Sequence, residues 1–243
     1  MWASAISMRA FGRAEDLDIA FTSKDRPSLV TALLQHCAPD TDAAYWWGQS
    51  VGARVEAMLT LMATTEGSDS LDVQLRCASG ECGQAYEVTL PLEALPCAGS
   101  GSVEVMLPGE RLLLLRRPTG DDLRQWHGAR HATQQEAVQA IVEDLRIDGT
   151  ASPEDAHLLG EAIAAQDPLV AFSVTCACPA CGLEGDVPLD LEGIALQRLA
   201  ARQEGLLREV HLFATRYGWT EVQTLAVPPQ RRARYRALIE DAS

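Results

Sequence analysis

A repeat constrains this chain more than any other feature. A shift of 99 residues lays LDVQLRCASGECGQAYEVTLPLEAL (71–95) over VAFSVTCACPACGLEGDVPLDLEGI (170–194) without a gap. Cys77 falls on Cys176, Cys82 on Cys181 and Gly83 on Gly182. Val88, Leu90, Leu92 and Glu93 fall on Val187, Leu189, Leu191 and Glu192. Leu71, Val73, Leu75 and Cys77 alternate with polar residues, as do Tyr86, Val88 and Leu90, and Val170, Phe172, Val174 and Cys176 repeat the pattern. A period of two is the mark of a half-buried strand. Each copy therefore predicts a strand, a cysteine turn, a second strand and an acidic-hydrophobic lead into a helix.

The chain holds seven cysteines, an odd number. The N-terminal stretch MWASAISMRAFGRAEDLDIAF has no continuous apolar run, so neither a secretory leader nor a disulfide framework is expected. Five of the seven lie in the two repeat copies, which is the pattern of a metal site. In Cys178-Pro179-Ala180-Cys181-Gly182 the two-residue spacer lets both sulfurs reach one ion, and Gly182 permits a positive φ at the turn. The first copy differs. Ser79 stands where the second copy has Cys178, and its other thiol comes two residues earlier, at Cys77. The four-residue spacer from Cys77 to Cys82 is still within zinc-site spacing. The second copy then has one thiol too many, and the better knuckle spacing favours Cys178. Cys176 is left as a buried strand cysteine or a substitute ligand. Cys77, Cys82, Cys178 and Cys181 are thus the expected ligands of one structural zinc in a zinc-ribbon arrangement. Such a closed site has no open position at which to activate water. The plainer alternative is a ribbon that has lost its metal and simply packs its cysteines. Cys37 and Cys97 are expected to be small buried hydrophobes.

Between the copies the period changes to that of a helix. Val51, Val55, Met58, Leu59 and Met62 share one helical face, as do Ala137, Val138, Ile141, Val142 and Leu145. Ser152-Pro153-Glu154 reads as an N-cap with proline at the first position. The expected fold class is α+β, mainly helical, with a small split zinc-ribbon-like β region built from the two cysteine-turn copies. Residues 1–70 read as an N-terminal helical region and 71–116 as the first ribbon half, with a further strand at Val103, Val105 and Leu107. Residues 117–168 read as a helical insertion, 169–191 as the second ribbon half and 192–243 as a C-terminal helical block.

Charge and motif narrow the function. Thirty-four acidic against 20 basic residues give a net charge of −14, which opposes general nucleic-acid binding. No apolar run approaches the roughly 18 residues of a membrane helix, and a cytoplasmic location is the default. Gly48-Gln49-Ser50-Val51-Gly52 matches the GxSxG of hydrolases, but no series of βα units follows to build their sheet. His127 and His131 lack the glutamate that a zinc protease places between them. His211 shares an apolar helical face with Leu207, Val210, Ala214 and Tyr217 and is expected to be a core or interface histidine. Asp121 and Asp122 suit a helix start. No acid pair or phosphate loop stands out, so the chain is not expected to be an enzyme.

The last fifty residues predict three short helices. The first, through Leu206 to Tyr217, stops at Gly218; the second opens with a Thr220/Gln223 capping box; the third follows Pro228-Pro229. The third carries Arg231, Arg232, Arg234, Tyr235 and Arg236. Arginine and tyrosine are enriched at binding hot spots, which makes Arg231, Arg232, Arg234 and Tyr235 the candidate partner-binding residues. Pairing of these arginines with the chain's own carboxylates is the plainer alternative.

This block resembles baseplate proteins of contractile phage tails: the T-even phage baseplate hub family and its relatives in phage-like bacterial injection particles. The likeness rests on Leu207-Arg208-Glu209-Val210-His211, on Tyr217-Gly218-Trp219-Thr220-Glu221 and on Arg231-Arg232-x-x-Tyr235. Upstream it adds the two cysteine knuckles, the Pro-Thr-x-x-Asp-Leu of Pro118 to Leu123 and the Gly-x-Arg of Gly52 to Arg54, and so spans two thirds of the chain. It departs at Ser79 and over the first fifty residues. The resemblance implies a structural or assembly component without catalytic residues, resident in the assembled tail or injection particle. It implies hub, spike, tube or wedge proteins as partners in a large hetero-oligomer, and neither nucleic acid nor membrane. A non-structural tail-assembly chaperone is the alternative, and a zinc-ribbon nucleic-acid adaptor is disfavoured by the charge.

Overall fold

Short polar side chains set where the first helices begin. A computed structural model describes residues 6–241. In it Asp25 accepts from the Ser28 N–H at the head of α1 (Arg26–Cys37), and Asp42 from the Tyr45 N–H at the head of α2 (Ala43–Gly48). Ser50 accepts from the Ala53 N–H at the head of α3 (Val51–Glu66). Ser50 is thus a helix cap preceded by a helix, and the GxSxG pattern builds no nucleophile turn. Residues 1–5 of the stretch read for a leader lie outside the described residues.

The apolar pattern of α3 skips its most engaged residue. Arg54 is 0% exposed. Its Nη1 donates to the Trp46 carbonyl (2.7 Å) and the Thr31 hydroxyl (3.0 Å), and its Nη2 to the Pro27 carbonyl (2.8 Å). Burial lowers its pKa, but a guanidinium stays charged in proteins. One cation thereby ties α1, α2 and α3 together through carbonyls and a hydroxyl.

The strands then form three separate sheets. β1 (Ser70–Arg76) and β2 (Ala85–Pro91) make an antiparallel hairpin with Val73 opposite Val88. β3 (Val103–Leu107) and β4 (Arg111–Leu115) make a second, followed by α4 (Gly120–Gly128) and α5 (Gln134–Leu145). β5 (Arg146–Asp148) adds to β4, and α6 (Ala156–Gln166) follows a 3-10 turn capped by Ser152. β6 (Ser173–Ala177) and β7 (Glu184–Pro188) form the third hairpin. The chain ends in α7 (Leu191–Tyr217), α8 (Glu221–Ala226) and α9 (Pro229–Asp241). The architecture is mixed helix and sheet, and among the described residues no helix is long and apolar enough to cross a membrane.

Two hydrophobic cores result. The first joins Leu33, Met58 and Leu61 of the N-terminal helices to Leu71 of β1 and Leu199 of α7. The second packs Val105 and Leu113 of the β3–β4 hairpin against Val142, Leu145 and Leu159. The β3–β4 hairpin therefore packs with α5 and α6 and not with the β1–β2 hairpin, and the insertion is part sheet. The cores meet where the Val51 N–H donates to the Pro118 carbonyl and the Gly120 N–H to the Gln49 carbonyl. Beside this seam Asp167 is buried, 3.8 Å from Nη1 of Arg117. Gly52 lets the Asp167 carboxylate sit close against α3, where a Cβ at position 52 would force that side chain to shift.

At the C-terminus the first of the three expected helices is the end of a single 27-residue helix. Gly218 caps it at φ 69°, and the Thr220/Gln223 capping box opens α8 as predicted. Leu199, Leu206 and Phe213, seven residues apart, form its buried stripe. Leu207 and His211, four apart, lie on a neighbouring stripe that is exposed, so His211 faces solvent and is not a core histidine.

Candidate metal centre

Each cysteine turn is built from the end of one strand and a glycine. β1 passes into its turn at Cys77, whose N–H donates to the Gln84 carbonyl at 2.9 Å. β6 passes into its turn at Cys178, whose N–H donates to the Leu183 carbonyl at 2.9 Å. Cys77 and Cys178 thus hold equivalent places at the mouths of the turns, although the gapless repeat pairs Cys77 with Cys176. The far side of each turn does follow the repeat. Gly83 donates to the Ser79 carbonyl and Gly182 to the Cys178 carbonyl, at φ 55° and 72°. The first turn is two residues longer, and that extra length lets Cys77 serve where Ser79 has no thiol.

The four sulfurs converge. Sγ of Cys77 lies 3.5 Å from Sγ of Cys181, and Sγ of Cys82 lies 3.9 Å from Sγ of Cys178. All four ligand atoms are within 4.8 Å of one another. Both short distances run between the hairpins. Four thiolates at the usual zinc–sulfur bond length of about 2.3 Å would sit roughly 3.8 Å apart at the corners of a tetrahedron, so the spacing suits one ion. Cys77 and Cys178 are buried, Cys82 is half-buried and Cys181 exposed.

The surroundings favour thiolate at one sulfur in particular. N–H groups of Cys181 and Ala180 directed at Cys178 lower its pKa to about 7. The Ser79 N–H acts the same way on Cys77, but burial and the neighbouring thiols outweigh it and push that thiol up to about 12. Cys82 is raised by burial and by Cys181 and Cys178, against the Gln84 N–H. Cys176 stands apart on β6, with its Sγ 3.3 Å from the Tyr86 hydroxyl. That contact, with burial, pushes Tyr86 up to about 12. In the sequence Tyr86 is one apolar position of an alternating strand; in the fold it bridges the two hairpins beside the sulfur cluster.

The remaining candidates separate cleanly. Cys37 is buried, and burial pushes its thiol up to about 12. Cys97 is exposed, contrary to expectation, because it lies in the irregular stretch after Pro96 and outside both cores. Of the C-terminal candidates, Arg232 is only 3% exposed, contrary to a docking role. Glu209 draws it inward with a 2.8 Å contact to Nε, and Nη1 donates to the Val227 carbonyl. Arg236 also reaches Glu209. Arg231 and Arg234 are exposed, and neither is in an ion pair among the described residues. Tyr235 is half-buried, packed edge-on to Phe213, Tyr217 and Trp219. Asp122 turns inward to cap α4 and pair with Arg116, while His127 and His131 are exposed. Comparison with family models, with curated proteins and with solved structures returned no match for this chain.

Proposed function

We propose that this chain is a structural or assembly component of the baseplate of a contractile phage tail or of a phage-like contractile injection system, with one structural zinc. The observation that carries the reading is the C-terminal block. Its family-like segments, Leu207 to His211, Tyr217 to Glu221 and Arg231 to Tyr235, fall in α7, in the capped turn and in α9, and they leave Arg231 and Arg234 facing outward. The sulfur cluster supports the zinc: an all-thiolate tetrahedral donor set is that of a structural zinc site, with no position left for a reacting water. The same closure gives the metal a structural and not a catalytic role, in keeping with the non-enzymatic role proposed for the chain.

Elemental analysis of freshly purified protein is expected to give one zinc per chain. Cys178→Ser should lose the metal and Cys176→Ser should keep it; the reverse result would move the ligand to Cys176. Mass spectrometry of purified tail particles should find the chain there. Its presence only in assembly intermediates would favour a chaperone, and its absence from both would end the tail reading.

A further inference from the structure

Two exposed surfaces of this chain have opposite character. On α9 the residues Arg231, Arg234 and Leu238 are three and four apart, which puts them on one helical stripe. The stripe faces solvent, and Leu238 is 60% exposed. The adjacent stripe, Arg232 and Ile239, one residue further along the helix, is buried. The second surface is the outer face of the three-stranded sheet. There Met106 of β3 pairs across the strands with Leu112 of β4, and they are 68% and 52% exposed. In the next row Leu114 pairs with Glu104 on one side and Asp148 on the other. Neither carboxylate is in an ion pair among the described residues. Two apolar side chains next to these two carboxylates, one of them accepting the Gly149 N–H, form an acid-flanked apolar face.

The charge of the chain is divided in the same sense. Residues 191–243 hold eight arginines against six acids, net +2, while residues 1–190 hold twelve basic against twenty-eight acidic side chains, net −16. We propose that the Arg231/Arg234/Leu238 stripe of one copy docks on the outer face of the β3–β4–β5 sheet of a second copy. Arg231 and Arg234 then meet Glu104 and Asp148, which lie two strand spacings or about 10 Å apart, a span that two long side chains cover. Leu238 covers Met106 and Leu112. Both surfaces are exposed within one chain, so the contact joins copies. Because it pairs unlike surfaces, it builds a closed ring or an open filament, or doubles into a reciprocal dimer. The inference rests on the reading of α9 as a docking helix and names its occupant.

Sedimentation of the full-length, zinc-loaded protein tests it. The mass should rise above the 26.3 kDa monomer with concentration and fall back as salt screens the arginines. R231E/R234E and E104R/D148R should each weaken association about tenfold, and the variant combining all four changes should recover the loss. Circular dichroism shows whether each variant is folded. Met106→Asp and Leu238→Asp, both on exposed positions, test the apolar half and should also dissociate the assembly. A wild type that stays monomeric at every concentration overturns the proposal, as does a four-fold variant no better associated than its parents. If the wild type is monomeric while R231E/R234E is still excluded from tail particles, the self-contact fails and the tail reading stands. If association and charge-swap rescue are found in a chain absent from tail particles, the self-contact stands and the tail reading fails.

Discussion

Arg54, Asp16 and Asp167 show how differently a buried charge can be treated in one chain. Arg54 gives its donors to Trp46, Thr31 and Pro27, so shortening it removes three hydrogen bonds inside the protein. Arg54→Ala is expected to cost about 3–5 kcal/mol in chemical denaturation, and Arg54→Lys most of that, since an ammonium cannot span the three partners. A loss below about 1 kcal/mol would show that water replaces the guanidinium freely. Asp16 is buried too, but Arg9 grips it through two hydrogen bonds and the Gly12 and Arg13 N–H groups add two more. Burial raises its pKa, and these four partners more than offset it, so the net shift is downward. Asp167 has no such support. The N–H groups of Gly52 and Gly99 face it without reaching hydrogen-bond geometry, and burial raises its pKa against the pull of Arg117. The signs follow by linkage. The contribution of Asp16 is present above the ordinary carboxylate pKa and is lost as pH falls through its lowered value. Asp167 does the reverse, with its penalty growing as pH rises from the ordinary value through the raised one. Asp16→Asn should therefore destabilise at neutral pH by about 3 kcal/mol, with the gap closing in acid. Asp167→Asn should be neutral or stabilising at neutral pH, and urea titrations of both variants against pH would show whether the two slopes have opposite sign.

At the scale of the element, what the sequence reveals depends on whether the signal is local. Caps are local, and Ser50, Thr220 with Gln223, and Gly218 all sit where their chemistry predicts. Gly218→Ala should cost about 1 kcal/mol by forcing a side chain to φ 69°, as read from the melting of α7 and α8. The sulfur cluster was legible for a related reason: the thiol spacing and the following glycine are properties of a single turn. The register of the hairpins was not legible. The gapless repeat aligns Cys77 with Cys176, and only the two-residue difference in turn length, visible once the strands pair, makes Cys178 its equivalent. Faces were lost where a helix offers two stripes. Leu207 and His211 have helical spacing as good as that of Leu206 and Phe213, and what lies across from α7 decides between them. The same holds for Arg232. In a run of arginines nothing in the sequence marks the one that Glu209, a full helix away, will draw inside.

At the scale of the molecule, the sulfur cluster is a second tie between two hairpins that the first core also brings together, with Leu71, Val73 and Leu75 of β1 buried in that core and Val174 and Val187 of the β6–β7 hairpin packed against it. Cys77 and Cys181 are 104 residues apart and Cys82 and Cys178 are 96 apart, with the whole second core threaded between them. Closing a loop of that length in the unfolded chain is worth about 4–5 kcal/mol in the chain-entropy view of a cross-link, and a metal that binds only the folded form adds its binding energy to stability. The four cysteines nevertheless lie outside both buried hydrophobic clusters, one drawing on α1, α3, α7 and the first hairpin with the second hairpin packed against it, the other on β3, β4, α5 and α6. Tyr86 and Cys176 hold the two hairpins together without any ion. Removal of the metal should accordingly lower the melting temperature of a zinc-loaded sample while leaving its helical circular dichroism nearly intact. Hydrogen exchange should quicken at residues 77–84 and 178–183 and in the strands that lead to them, with α3 and α7 protected as before. An unchanged melting temperature after chelation would mean that the cysteines stabilise the fold without an ion. Collapse of the helical signal would mean that the cores depend on the cluster, against the separation seen in the packing.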